Sequence, residues 1–115
     1  MSLLVSTMND APGWRVDRVL GEVTGLTVRS RNVGVQIGAS FKALVGGELR
    51  GLTGQLQQTR DEAIERMVEA AASRGANAVL AMRFDSNEIA QGYQELVAYG
   101  TAVVVVQDHP AGSAG

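Results

Sequence analysis

The 115 residues carry ten Lys or Arg against twelve Asp or Glu, one histidine and no cysteine, for a net charge of −2. That balance argues against nucleic-acid and anionic-membrane partners, and the missing thiols exclude disulfides and thiolate metal sites. No run approaches the ~18 apolar residues of a membrane span and the N-terminus lacks a signal-peptide pattern, so a cytoplasmic protein is expected.

Leu3 to Thr7 reads as a short strand, stopped by the turn Asn9-Asp10-Ala11-Pro12-Gly13. Asn and Asp bond their own backbone, Pro fixes φ and Gly permits a positive φ. From Trp14 to Arg29 the apolar residues Val16, Leu20, Val23, Leu26 and Val28 alternate loosely with polar ones. Gly21 and Gly25 inside that strand predict a bulge or bend. A helical stripe follows at Ile37, Phe41, Leu44 and Val45, and Gly46-Gly47 offers it a stop.

The longest helix has Thr53 as its expected N-cap and Gly75 as its C′ residue. Leu56, Ala63, Ile64, Met67, Val68 and Ala71 form its apolar face, and Glu62 and Arg66 stand at i, i+4 as a surface pair. Two strands complete the chain, Ala78 to Asp85 and Gln94 to Val106, joined by a polar connection over Ser86 to Gly92. The pieces predict an α+β fold of two layers, an antiparallel sheet with one long and one short helix. They form one domain over residues 1–108 with a disordered tail at 109–115.

The last strand poses a packing problem. Leu96 to Val106 reads LVAYGTAVVVV, apolar on both faces of a pleated strand. One long helix covers one face only. The expected cover for the other is a second copy of the chain, with the segment Asn32 to Gly38 as the intramolecular alternative.

Catalytic constellations are missing. The segment GGELRGLT, Gly46 to Thr53, approaches a phosphate-binding loop but places Leu52 where the lysine belongs. What remains there is a weak ligand or anion site at Gly46, Gly47 and Thr53. His109 stands alone in the tail and Lys42 is the only lysine, so neither a histidine-activated nucleophile nor an imidazole zinc site can be assembled in one chain. No enzyme is expected. Asp85, Glu88 and Glu95 flank the last turn and are the candidate carboxylate ligands for a metal. Arg15, Arg18, Arg29 and Arg31 cluster mildly, without the aromatic neighbours that nucleic-acid stacking needs.

Four ordered blocks, GEVTG at 21–25, VGGELRGLT at 45–53, RGANAVLAMRFD at 74–85 and AYGTAVVV at 98–105, resemble the YbjQ-like family of small prokaryotic proteins. The opening turn DAPGW fits as well. The resemblance implies a fold similar to the dodecin-like ones, a helix on an antiparallel sheet, assembled into a homo-pentameric ring. It also implies a heavy-metal-binding label, with no activity and no catalytic residue to carry over. Soft metals prefer thiolate and imidazole, which this chain hardly supplies. The expected function is thus a non-enzymatic oligomeric binding or scaffold module with its site at subunit boundaries. The alternative is metal binding through carboxylates repeated by symmetry.

Overall fold

A computed structural model describes residues 3–30 and 47–108. The expected short helix over 37–45, the loop 32–38, Gly46 and the tail 109–115 lie outside those residues.

Strand β1 (Leu4–Val5) is followed by β2 (Trp14–Ser30), helix α1 (Gly47–Ser73), β3 (Ala78–Ala90) and β4 (Tyr93–Gln107). The four strands make one sheet in the order β1-β3-β4-β2. The sheet is mixed, which corrects the antiparallel expectation. β2 and β3 pair antiparallel with β4, but β1 runs parallel to β3. The parallel pairing is within reach because β2 and α1 lie between β1 and β3 in the chain and supply a long crossover. Its ladder continues irregularly through Ser6 N–H to Val79 O at 2.9 Å and Ala81 N–H to Met8 O at 2.8 Å. Ala81 itself adopts a φ of 54°, inside a register shift of β3 between Leu80 and Arg83.

The long helix starts at Gly47, six residues before the expected cap at Thr53. Glu48, Leu49 and Arg50 are good helix formers, and a glycine is tolerated at the entry of a helix, so the Gly pair does not break the element where it stands. The C-terminus falls where Gly75 predicts it. Gly75 has a φ of 86°, its N–H bonds Ala72 O at 2.9 Å, and Ala76 N–H reaches Ala71 O at 3.1 Å. Those two bonds are a Schellman motif and satisfy carbonyls the helix leaves open.

The helix lies on one face of the sheet. Ala63, Met67 and Ala71 are completely buried against Val23 of β2, Val79 and Met82 of β3, and Ala98 and Ala102 of β4. Small side chains on both layers bring them very close. A Cβ on Gly25 would stand 2.0 Å from Ala63 O and 2.3 Å from Met67 N, so glycine is the only residue that fits beneath the helix. The expected bulge forms at Gly21, whose φ is 107°, while Gly25 serves as a contact point instead of a bend. Leu56 leaves the predicted stripe and is exposed. The Glu62–Arg66 pair is replaced as well. Gln58 Nε2 donates to Glu62, and the Arg66 guanidinium reaches over the sheet edge to Leu26 O.

The polar segment 86–92 is not a loop. β3 runs on through Ala90, and only Gln91 and Gly92 turn the chain, with Gly92 at a φ of 84°. At the other end of the sheet Asn77 extends the ladder with a side chain. Its Nδ2 donates to Val105 O at 2.9 Å and its Oδ1 accepts from Val105 N–H at 2.8 Å.

Candidate functional site

The face of the sheet away from α1 has two parts. Cross-strand partners share a face, so Val16 and Val19 of β2 stand beside Val105 and Val103 of β4. Val103 and Val105 are buried, with Ala78 and Leu80 of β3 and with Ala11 from the opening turn. Ala11 of the chain's own opening turn packs with them, and Asp108 N–H to Gly13 O at 2.9 Å ties that turn to the end of β4. Val103 and Val105 are thus already buried within the single chain. A turn without large apolar residues gives no sign in the sequence of where it will fold.

The rest of that face is open. Val16 is 44 %, Val19 67 %, Leu26 43 % and Val28 51 % exposed. Leu26 pairs with half-buried Val97, and Thr24 pairs with half-buried Tyr99. Beside the covered valines lies a hollow of about 440 Å³ lined by Leu3, Leu4, Trp14, Asn77 and Val105. The motif DAPGW held a signal for it: the turn delivers Trp14, 44 % exposed, to the first position of the edge strand.

The candidate carboxylates separate. Asp85 is opposite Val97, and Glu95 is opposite Asn87 on β3 and Val28 on β2. Alternation along a strand then puts Asp85 and Glu95 on the open face as diagonal neighbours, about 7–8 Å apart. Glu88, opposite Gln94, points to the other side. Asp85 is occupied in part, since its Oδ1 accepts from Ser86 N–H at 3.0 Å and its Oδ2 from Asn87 Nδ2 at 3.3 Å. Among the described residues no three His, Cys, Asp or Glu side chains gather in a way that could hold a metal ion. Two hard oxygen donors per chain do not fit a soft heavy-metal ion, whose preferred thiolate ligands this sequence lacks and whose imidazole ligand it supplies once, at His109 outside the described residues.

Of the candidate anion site, Gly46 is outside the described residues, Gly47 is the first residue of α1, and Thr53 lies exposed in the second turn. The Thr53 N–H is then inside the helix ladder, where it meets a carbonyl four residues back. The structure does not bring Thr53 and Gly47 to one helix end. Four arginines meet other partners. Arg60 stacks 5.0 Å from the Phe84 ring centroid, Arg83 donates to Thr7 O at 2.7 Å, Arg74 donates to Glu22 O at 3.0 Å and to Leu20 O, and Arg66 donates to Leu26 O. No described helix is long and apolar enough to cross a membrane.

A family model described as "Putative heavy-metal-binding" matches residues 3–106. A UPF0145 protein of Streptomyces coelicolor is 63% identical over 106 residues, covering 92% of this chain and all of the relative. Another, from Sulfurisphaera tokodaii, is 50% identical over 91% of this chain and 92% of its own length. A solved structure from Pediococcus pentosaceus, titled as a protein with unknown function of the DUF74 family, is 16% identical with a TM-score of 0.46, covering 92% of this chain and 98% of that one.

Proposed function

This chain belongs to the YbjQ family, and we propose that it is a non-enzymatic homo-oligomeric module, a ring of five as the family resemblance implies, that binds a ligand between its subunits. One observation carries the reading. Val16, Val19, Leu26 and Val28 project from a single strand face with 43–67 % of each exposed. They form two exposed apolar pairs, separated on that face by Glu22 and Thr24; exposed apolar surface marks association sites, and another copy of the same chain is the commonest partner. A ligand at the boundary would meet Trp14 and its hollow at one end of that face and Asp85 with Glu95 at the other. Native mass spectrometry of the purified protein tests this directly. The expected result is one closed assembly, with any resident small molecule carried as added mass. A well-folded monomer at micromolar concentration would overturn it.

A second reading is metal binding through carboxylates. It draws on Asp85 and Glu95 sharing the open face, since symmetry would bring several such pairs together around an axis. Oxygen ligands of that kind suit a hard cation such as Ca²⁺. Calorimetric titration with Ca²⁺, Zn²⁺, Cu²⁺ and Ni²⁺ separates the two: heat with Ca²⁺ that vanishes in Asp85→Asn favours it, and no heat with any ion sinks it.

A further inference from the structure

The exposed rim of β2 carries the observation that goes beyond this reading. Among the described residues β2 is the outer strand of the sheet, 17 residues long, and pairs only with β4. Every second residue of such a strand turns its N–H and C=O outward, and a long unpaired rim is a template for another strand. On this chain three carbonyls along that rim, those of Leu20, Glu22 and Leu26, are taken. Arg74 Nη1 donates to Glu22 O at 3.0 Å and Leu20 O at 3.4 Å, and Arg66 Nη1 donates to Leu26 O. Arg66 stands about two turns before the end of α1 and Arg74 just after it, eight residues apart, and both reach over the same rim. A guanidinium has no acceptor to offer an incoming strand and holds its own positive charge there. It also bonds a carbonyl more strongly than a neutral donor does.

We propose that Arg66 and Arg74 are rim guards: they close the β2 edge from Leu20 to Leu26 to strand addition by a second copy of this chain. The geometry explains why Arg66 does not pair with Glu62 one turn away on its own helix. It also assigns a task to a strand edge that the sequence leaves without proline or lysine, the usual deterrents. Association is then confined to the open face.

The test uses the full chain as Arg66→Ala/Arg74→Ala. Wild type and variant are compared by sedimentation velocity, thioflavin fluorescence and circular dichroism. The expected variant keeps its helical signal but grows with concentration into species well above the wild-type mass, with a several-fold rise in thioflavin fluorescence. Thr24→Pro added to the variant distinguishes strand addition from simple loss of stability. Thr24 lies between the guarded residues on the same outward alternation, so proline there removes a rim N–H. It restores the wild-type size if the rim is the contact, and worsens aggregation if the variant is merely unstable, which overturns the proposal. An unchanged size in Arg66→Ala/Arg74→Ala overturns it as well. If the double variant loses its helical signal, each single variant is read in the same way against the same proline. A monomeric wild type would refute the ring and leave this comparison intact.

Discussion

Gly25 is the most constrained position described. The would-be Cβ overlaps helix backbone, not the tip of a pliable side chain, so the layers must separate to admit it. Overpacking of a tight core costs ~1–3 kcal/mol, and backbone overlap places Gly25→Ala at the upper end. Urea denaturation of that variant is expected to show a loss of about 3 kcal/mol. Ala81 is the converse case. It holds a left-handed φ of 54° at a cost of about 1–2 kcal/mol for an L-residue, while glycine loses about 0.5–1 kcal/mol of chain entropy. Ala81→Gly is therefore expected to raise stability by up to about 1 kcal/mol in the same assay. The sequence marks these two sites unequally. Gly25 reads as a bend, because contact with another layer and a local kink leave the same residue behind. Nothing about Ala81 distinguishes it from its neighbours.

Beyond its first residue, Gly47, helix α1 carries Gly51 and Gly54 in its first half, and a Cβ built on either meets nothing within 4 Å. Glycine in a helix interior costs about 1 kcal/mol relative to alanine. Gly51→Ala/Gly54→Ala should therefore gain roughly 2 kcal/mol in the isolated chain, read as a higher melting temperature. A gain in stability coupled to loss of assembly would instead show that a neighbouring copy approaches α1 at those glycines. The end of this helix was legible and its start was not. Gly75 reports a left-handed cap that few other residues accept, whereas Gly46-Gly47 is compatible with both a stop and an entry. The β3–β4 hairpin misled in a related way. Ser86, Asn87 and Glu88 have poor strand propensity, but Leu96, Glu95 and Gln94 face them across the ladder and backbone pairing suffices.

Across the whole molecule, the decisive feature is which part of the sheet stays bare. The doubly apolar last strand signals a second buried face, and Ala11 of the same chain packs against Val103 and Val105 there. What is bare belongs mainly to β2, where register shifts at Val16/Arg18 and Val19/Gly21 re-aim the side chains and hide the alternation from a reader of the sequence. Placing a charge there tests the association reading. Val19→Glu/Leu26→Glu buries two carboxylates in any face-on assembly, at several kcal/mol each, and each 1.4 kcal/mol is about tenfold in affinity. The double variant is expected to sediment as a folded monomer. Retention of the wild-type assembly would place the contact elsewhere. The site itself was legible only in part: residue types speak against thiolate ligation and a histidine-activated nucleophile within one chain, but the separation of Glu88 from Asp85 and Glu95 depends on a register that composition does not contain.

The carboxamide of Asn77, bonded to both backbone groups of Val105, does the work of one more rung of β3. β4 can thus outrun its neighbour while the chain between helix and strand stays only four residues long, from Arg74 to Asn77. The helix-to-strand crossing is in effect locked to one length, because inserting even a single residue would carry the amide away from the groups it imitates. Variation in chain length should therefore be accommodated at the Gln91-Gly92 tip and not at this corner.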